Sequence, residues 1–169
     1  MYAACASRST EFESLYGLGV PTDKQALGKR GEQLVTATQR CPQCKKSKTL
    51  RSLPQNFKCA DVICDFCGFL AQVKSFTSHK PNVLPTQILG AAWGPQKQRM
   101  DAGIYYSLYL VAVSPKGRSH GMWYLPADLQ TPEMFVARKP LSSGARRAGW
   151  QGFMIDLRKA VGQPTPVGK

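Results

Sequence analysis

With 169 residues, 43% of them hydrophobic and 20% charged, the chain has the material for one globular core and lacks the composition of a disordered protein. Twenty-three Lys and Arg face ten Asp and Glu, a formal charge of +13, which favours a polyanionic partner because each phosphate neutralised releases condensed counterions. No apolar run reaches the length of a membrane span, no basic-then-apolar start marks a secretory leader and no basic amphipathic helix stands out, so a cytoplasmic protein with no membrane partner is expected.

In chain order, residues 1–22 mix Ser, Gly and small side chains and read as a poorly ordered N-terminal arm. Thr22 or Asp23 can cap a helix running to about Arg40, with Leu27, Leu34, Val35 and Thr38 roughly on one stripe. Two Cys-x-x-Cys pairs follow, Cys41/Cys44 and Cys64/Cys67, with nineteen residues between them. In a reducing compartment such pairs bind metal more often than they form disulfides, and the spacing suits a closed, tetrahedral four-cysteine zinc site of structural type. Cys5, in the arm, and Cys59 read as free thiols, Cys59 being the one plausible substitute ligand. The linking stretch is basic, with Lys45, Lys46, Lys48 and Arg51 placed to face solvent or phosphate.

Phe69–Phe76 reads as a strand, so Gln72 and Lys74 share one face while Ala71, Val73 and Ser75 share the other. Asp61, ten intervening residues and then Gln72-Val73-Lys74 look like the metal site of a nuclease. Magnesium takes oxygen ligands, which the Asp61 carboxylate, the Gln72 amide and the Val73 carbonyl can supply, while Lys74 stabilises charge beside the attacking water. Glu32, one of four glutamates, can add a helix-borne acid to this site. Taken alone the pattern is short, and an edge strand with a solvated polar face is the alternative.

Thr86 to about Met100 reads as a helix, with Gly94-Pro95 expected to break or kink it. Ile104–Val113 is almost continuously apolar and rich in β-formers, as a central strand covered on both faces would be. Gly121–Leu125 can return beside it after the Pro115-Lys116-Gly117 turn, and Phe135–Lys139 and Trp150–Ile155 read as further short strands. Arg138, Lys139, Arg146 and Arg147 around Trp150 form a basic cluster interleaved with an aromatic, as expected of a DNA-facing loop. Which arginine reads a base and which holds phosphate stays open. The expected architecture is α/β, a mixed β-sheet flanked by helices with an inserted four-cysteine zinc knuckle, over residues 23–160, followed by a Pro/Gly tail at 161–169.

Three blocks make the chain resemble the Dam-replacing (DpnI) family of methyl-directed restriction endonucleases. They are Cys41-x2-Cys44 with Asp61-x2-Cys64-x2-Cys67-x4-Gln72-x-Lys74; Arg138-Lys139-Pro140-Leu141 with Ala145-Arg146-Arg147-Ala148-Gly149-Trp150-x-Gly152; and Ile155-Asp156-Leu157. Together they span roughly residues 30–157. The resemblance implies a PD-(D/E)xK domain with a structural zinc, catalytic magnesium and hydrolysis of double-stranded DNA at GATC carrying N6-methyladenine. It also implies that Trp150 lies at the methylated adenine. Two departures stand out. The family's second catalytic acid is Gln72 here, as in the Gln-x-Lys sites of Mrr-like nucleases, and the family's winged-helix domain has no counterpart within these 169 residues. Affinity would then rest on this domain, on an oligomer or on a separate DNA-binding partner. A non-cleaving binder of methylated DNA and a methylation-indifferent nuclease are the competing readings.

Overall fold

The computed structural model describes residues 22–54, 57 and 60–168. Nearly all of the expected N-terminal arm, with Cys5, lies outside the described residues, as does Cys59. Among the described residues no helix is long and apolar enough to cross a membrane.

Helix α1 spans Asp23–Thr38. Its start is fixed by a capping box: the Thr22 hydroxyl accepts from the Gln25 amide, and the Gln25 side chain accepts from the Thr22 amide at 2.8 Å. The chain then runs through the first cysteine turn into β1 (Leu50–Ser52) and β2 (Val62–Cys64), through the second cysteine turn into β3 (Leu70–Thr77), and on to β4 (Gln87–Ala92). Helix α2 (Trp93–Asp101) leads to β5 (Ser107–Val113) and β6 (His120–Leu125). Strands β7 (Phe135–Ala137), β8 (Gly152–Asp156) and β9 (Thr165–Pro166) complete the order, with single turns of 3-10 helix at Ala127–Leu129, Pro132–Met134 and Leu157–Lys159.

Strands β1-β2-β3-β5-β6-β9 form a six-stranded mixed sheet, and β4-β8-β7 a three-stranded antiparallel one. Strand β3 pairs with β5 in parallel over seven residue pairs, from Ala71–Ser107 to Thr77–Val113. Helix α1 covers one face of the large sheet, its Val35 packing in one cluster with Val73, Tyr109, Val111 and Met122. The small sheet and α2 cover the other, where Leu108, Leu110, Ala112 and Trp123 meet Ile88, Phe135, Phe153 and Ile155. Every residue of β5 is buried because each of its faces has a core to fill, which explains an apolar run with no alternation. The protein is α/β, a mixed sheet flanked by helices, as the sequence implies. The segment read as a tail supplies β9, which pairs with β6.

The helix expected over residues 86–100 is instead a strand followed by a shorter helix. Thr86–Ala92 alternates in burial, and Ile88 and Gly90 turn inward. Gly94 and Pro95 fall in the first turn of α2, where the missing proline N–H costs nothing, so they begin a helix rather than break one. Gly90 is required by packing, since a Cβ there would overlap the Phe153 ring. Gly90→Ala is therefore expected to cost about 1–3 kcal/mol through overpacking, measured by urea unfolding. Gly94→Ala, with open space around its Cβ, is the matched control, and equal stability of the two variants would refute the packing account.

Candidate metal and active site

The two cysteine turns bring Cys41, Cys44, Cys64 and Cys67 together, with all four sulfurs within 4.8 Å of one another. Cys41 Sγ lies 3.5 Å from Cys67 Sγ, and Cys44 Sγ 3.7 Å from Cys64 Sγ. Sulfurs at about 2.3 Å from a tetrahedral zinc stand about 3.8 Å apart, so the cluster has the dimensions of a four-thiolate zinc site. Its local geometry comes from backbone hydrogen bonds: Lys45 N to Cys41 O at 2.9 Å in the first turn, and Gly68 N to Cys64 O at 2.9 Å in the second. Burial pushes the Cys41 thiol up to about 12. At Cys64 burial is outweighed by the Thr49 side chain and the Cys67 and Phe66 amides, which draw the thiol down to about 6. Cys41 and Cys64 belong to the same core cluster as Leu50, Val62 and Tyr109, so the cysteines are part of the packing under α1.

Asp61 stands where β2 separates from β3. Those strands pair at Val62–Ala71 and Ile63–Leu70, after which, among the described residues, the β2-facing edge of β3 has no strand beside it. The Asp61 carboxylate takes up that edge, accepting the Val73 amide at 2.7 Å. In an extended strand the N–H and C=O of one residue point to the same side, so the Val73 carbonyl is directed to the Asp61 side as well. Gln72, which is buried, and Lys74, half-buried, share the opposite side-chain face from Val73, the face on which Phe76 meets the second core.

Helix α1 brings Glu32 to the same place. Gly31 lies so close to β3 that a Cβ there would overlap Ser75 Oγ, and this close approach sets the next residue over the sheet edge. Glu32 and Asp61 line one cleft of about 550 Å³, with Gln25, Gly28, Lys29 and Gln33 from α1, Ser52 at the end of β1, and Leu53 and Pro54 after it. Burial raises the Glu32 carboxyl above the usual range, and the Asp61 charge raises it further. Burial lowers the Lys74 ammonium, Asp61 opposes that shift, and Arg99 adds to it. Asp61 is thus the charge that both Glu32 and Lys74 feel.

A comparison with known families bears directly on this arrangement: the model of the Dam-replacing family, DpnI, matches residues 22–164. The chain belongs to the Dam-replacing family. The Dam-replacing match begins at the residue that caps α1 and takes in the cysteine cluster, the Asp61 cleft and the arm between β7 and β8.

That arm, residues 138–151, is held as a closed structure: Arg138 N donates to Gly152 O, Leu141 N to Trp150 O, and Gly149 N to Leu141 O. Gly149 has φ +75°, the left-handed region that glycine enters freely. The Arg147 guanidinium stacks over the Trp150 ring at 4.7 Å, and Trp150 lies against Gly152. Arg138, Lys139, Arg146 and Arg147 are exposed, and among the described residues none makes an ion pair.

Two contributors escape sequence reasoning. Helix α2 supplies a buried Gln96 whose Oε1 accepts from Arg99 Nη2 at 2.8 Å, and this is the arginine that Lys74 feels. Residues 52–54 wall the cleft with Asp61. Neither carries a local signal, because both reach the site through tertiary packing. The Ile155-Asp156-Leu157 block has a structural meaning. Asp156, buried, accepts Arg158 Nη2 at 2.6 Å and Gln87 Nε2 at 3.1 Å; the Arg158 guanidinium above all, with Gln87, holds its carboxyl well below the usual range, and β8 ends there in a 3-10 turn.

Proposed function

We propose that this chain is a divalent-metal-dependent endonuclease that hydrolyses phosphodiester bonds of double-stranded DNA at N6-methyladenine within GATC. Family membership supports a restriction-endonuclease-like enzyme acting on DNA. The single observation that carries the reading is the Asp61 carboxylate on the Val73 amide, at the point where β2 and β3 part and within electrostatic reach of Glu32 and Lys74.

The cysteine cluster suits zinc in donor type and sulfur spacing, and four thiolates leave no ligand position open, so its role is to hold the fold. The Asp61 carboxylate, the Val73 carbonyl and the Gln72 amide are hard oxygen donors and suit magnesium, with Glu32 as a further acid. Magnesium bound there supplies Lewis-acid polarisation of the phosphate and a more acidic water. The remaining work falls to the chain. Lys74, on the same face as Gln72, places an ammonium where charge develops on the phosphoryl oxygens, and its lowered pKa eases proton exchange with the attacking water. Arg99, held by Gln96, adds positive potential near Lys74. Trp150, with Arg147 stacked on it, offers an aromatic plate to the adenine methyl.

Gln72 favours a second reading. It brings an oxygen without a charge, and a non-cleaving binder of methylated DNA would have this site. The deciding experiment is incubation of Dam-methylated and unmethylated plasmid with Mg²⁺ or Mn²⁺. Cutting of the methylated plasmid alone is expected. A methyl-dependent mobility shift without cutting would establish the second reading, and cutting of both plasmids would mean a methylation-indifferent nuclease.

Trp150→Ala tests methyl recognition separately. One buried methyl is worth about 0.8 kcal/mol, so two half-sites give a rate ratio of about tenfold that the variant should lose. An unchanged ratio of cutting rates would remove Trp150 from the reading pocket.

A further inference from the structure

The outer face of the cysteine knuckle has features that ion binding does not explain. Residues 40–51 carry Arg40, Lys45, Lys46, Lys48 and Arg51 with no acidic residue among them. Arg51 is paired with Asp65 at 3.0 Å, but both side chains stay substantially exposed. Phe66, at the tip of the second cysteine turn, is 60% exposed. The Lys46 ammonium lies over its ring, 3.3 Å from the centroid. Lys45 and Lys48 adopt left-handed backbone, with φ of 62° and 59°. Glycine or asparagine enters that region more readily, so lysine at both positions retains a long cationic side chain at some conformational cost.

This face is continuous with the candidate site. From Lys48 the chain passes into β1, whose last residue, Ser52, lines the Asp61 cleft, and four residues of near-extended chain cover at most about 13 Å, or roughly four base pairs of duplex. We infer that the outer face of the knuckle, through Lys46 and Lys48, is a second DNA-binding surface that grips the phosphate backbone beyond the cleft. Phe66 is a positioning residue: its ring holds the Lys46 ammonium outward in a cation–π contact. This inference rests on the DNA reading above and deepens it, since it divides the interface into a cutting cleft and a separate phosphate grip.

The test is the salt dependence of binding to an adenine-methylated duplex of about 20 base pairs, long enough to pass well beyond the cleft. The Lys46→Gln/Lys48→Gln double variant is compared with Lys116→Gln/Arg118→Gln. The latter removes the same charge from the exposed turn between β5 and β6, at the far end of the parallel β3–β5 pair from the knuckle. For the knuckle variant the slope of log K against log salt should fall in magnitude by about 1.8, with affinity at least tenfold lower at about 0.1 M salt. The control pair should change little. Phe66→Leu should lose about two- to fivefold in affinity while its zinc content and melting temperature match those of the parent. Equal losses in the two double variants would reduce the effect to net charge and overturn the inference, as would no loss in either. In both cases the proposed cleavage would stand. Failure of the parent protein to bind any duplex would overturn both readings together.

Discussion

Replacing Cys44 or Cys67 with serine is expected to unfold the half of the protein that carries the candidate site. Zinc binding supplies about 10–16 kcal/mol of folding free energy in small zinc modules, and a whole domain is stable by only about 5–15 kcal/mol. Loss of one ligand therefore cannot be absorbed as an ordinary surface change. The reason is also specific to this packing. Cys41 and Cys64 are buried in the same cluster as Leu50, Val62 and Tyr109, so an ion bound by the four cysteines would hold β1 and β2 in addition to their strand pairing. Asp61 immediately precedes β2, and a loosened knuckle would free it from Val73. Metal analysis should find about one zinc per chain, and chelation or either serine variant should produce a large loss of cooperative thermal unfolding followed by circular dichroism. A metal-free protein that melts like the parent would show that the cysteines are ordinary core residues.

The second large effect is expected at Asp61 and Lys74. Asp61→Asn keeps an acceptor for the Val73 amide and removes only the charge, whereas Asp61→Ala would also expose that amide. Lys74→Met keeps the length of a half-buried side chain and removes the ammonium. Each of the two conservative variants should lower the rate of cleavage by at least about a hundred- to a thousandfold, the usual effect of removing one preorganised charge or donor from a reacting centre. Affinity for a methylated duplex should stay within a few-fold, because neither residue belongs to the exposed basic surfaces. Gln72→Glu, in contrast, supplies an anionic oxygen to the proposed metal site and should preserve or increase cutting. Cleavage that survives both Asp61→Asn and Lys74→Met would locate the chemistry elsewhere.

The sequence disclosed some parts of this protein more fully than others. The cysteine pairs, the start of α1 at Thr22 or Asp23 and the strand β5 were legible because each has a local cause: ligand spacing, a capping residue and a run buried on both faces. Strand β4 was not legible. In Thr86–Met100 a short apolar segment runs directly into a polar helix, and the choice between helix and strand depends on the Phe153 ring over Gly90 and on β8 alongside. At the candidate site, Asp61, Gln72 and Lys74 could be named from spacing and from strand alternation. The bond between Asp61 and the Val73 amide could not, since it exists only because β2 leaves β3 early. Arg99 was hidden for a similar reason, as its influence on Lys74 comes from the docking of α2.

The parallel pairing of β3 with β5 has a consequence for biogenesis. Antiparallel neighbours can zip together as soon as a tight turn is made, but a parallel neighbour has to wait for a long crossover. Here that crossover includes β4 and α2, so the strand bearing Gln72 and Lys74 gains its main partner only after the chain through Val113 has been synthesised. A nascent chain shorter than that carries the cysteines, Asp61 and Glu32 without the frame that aligns them, so the candidate site is completed only late in synthesis.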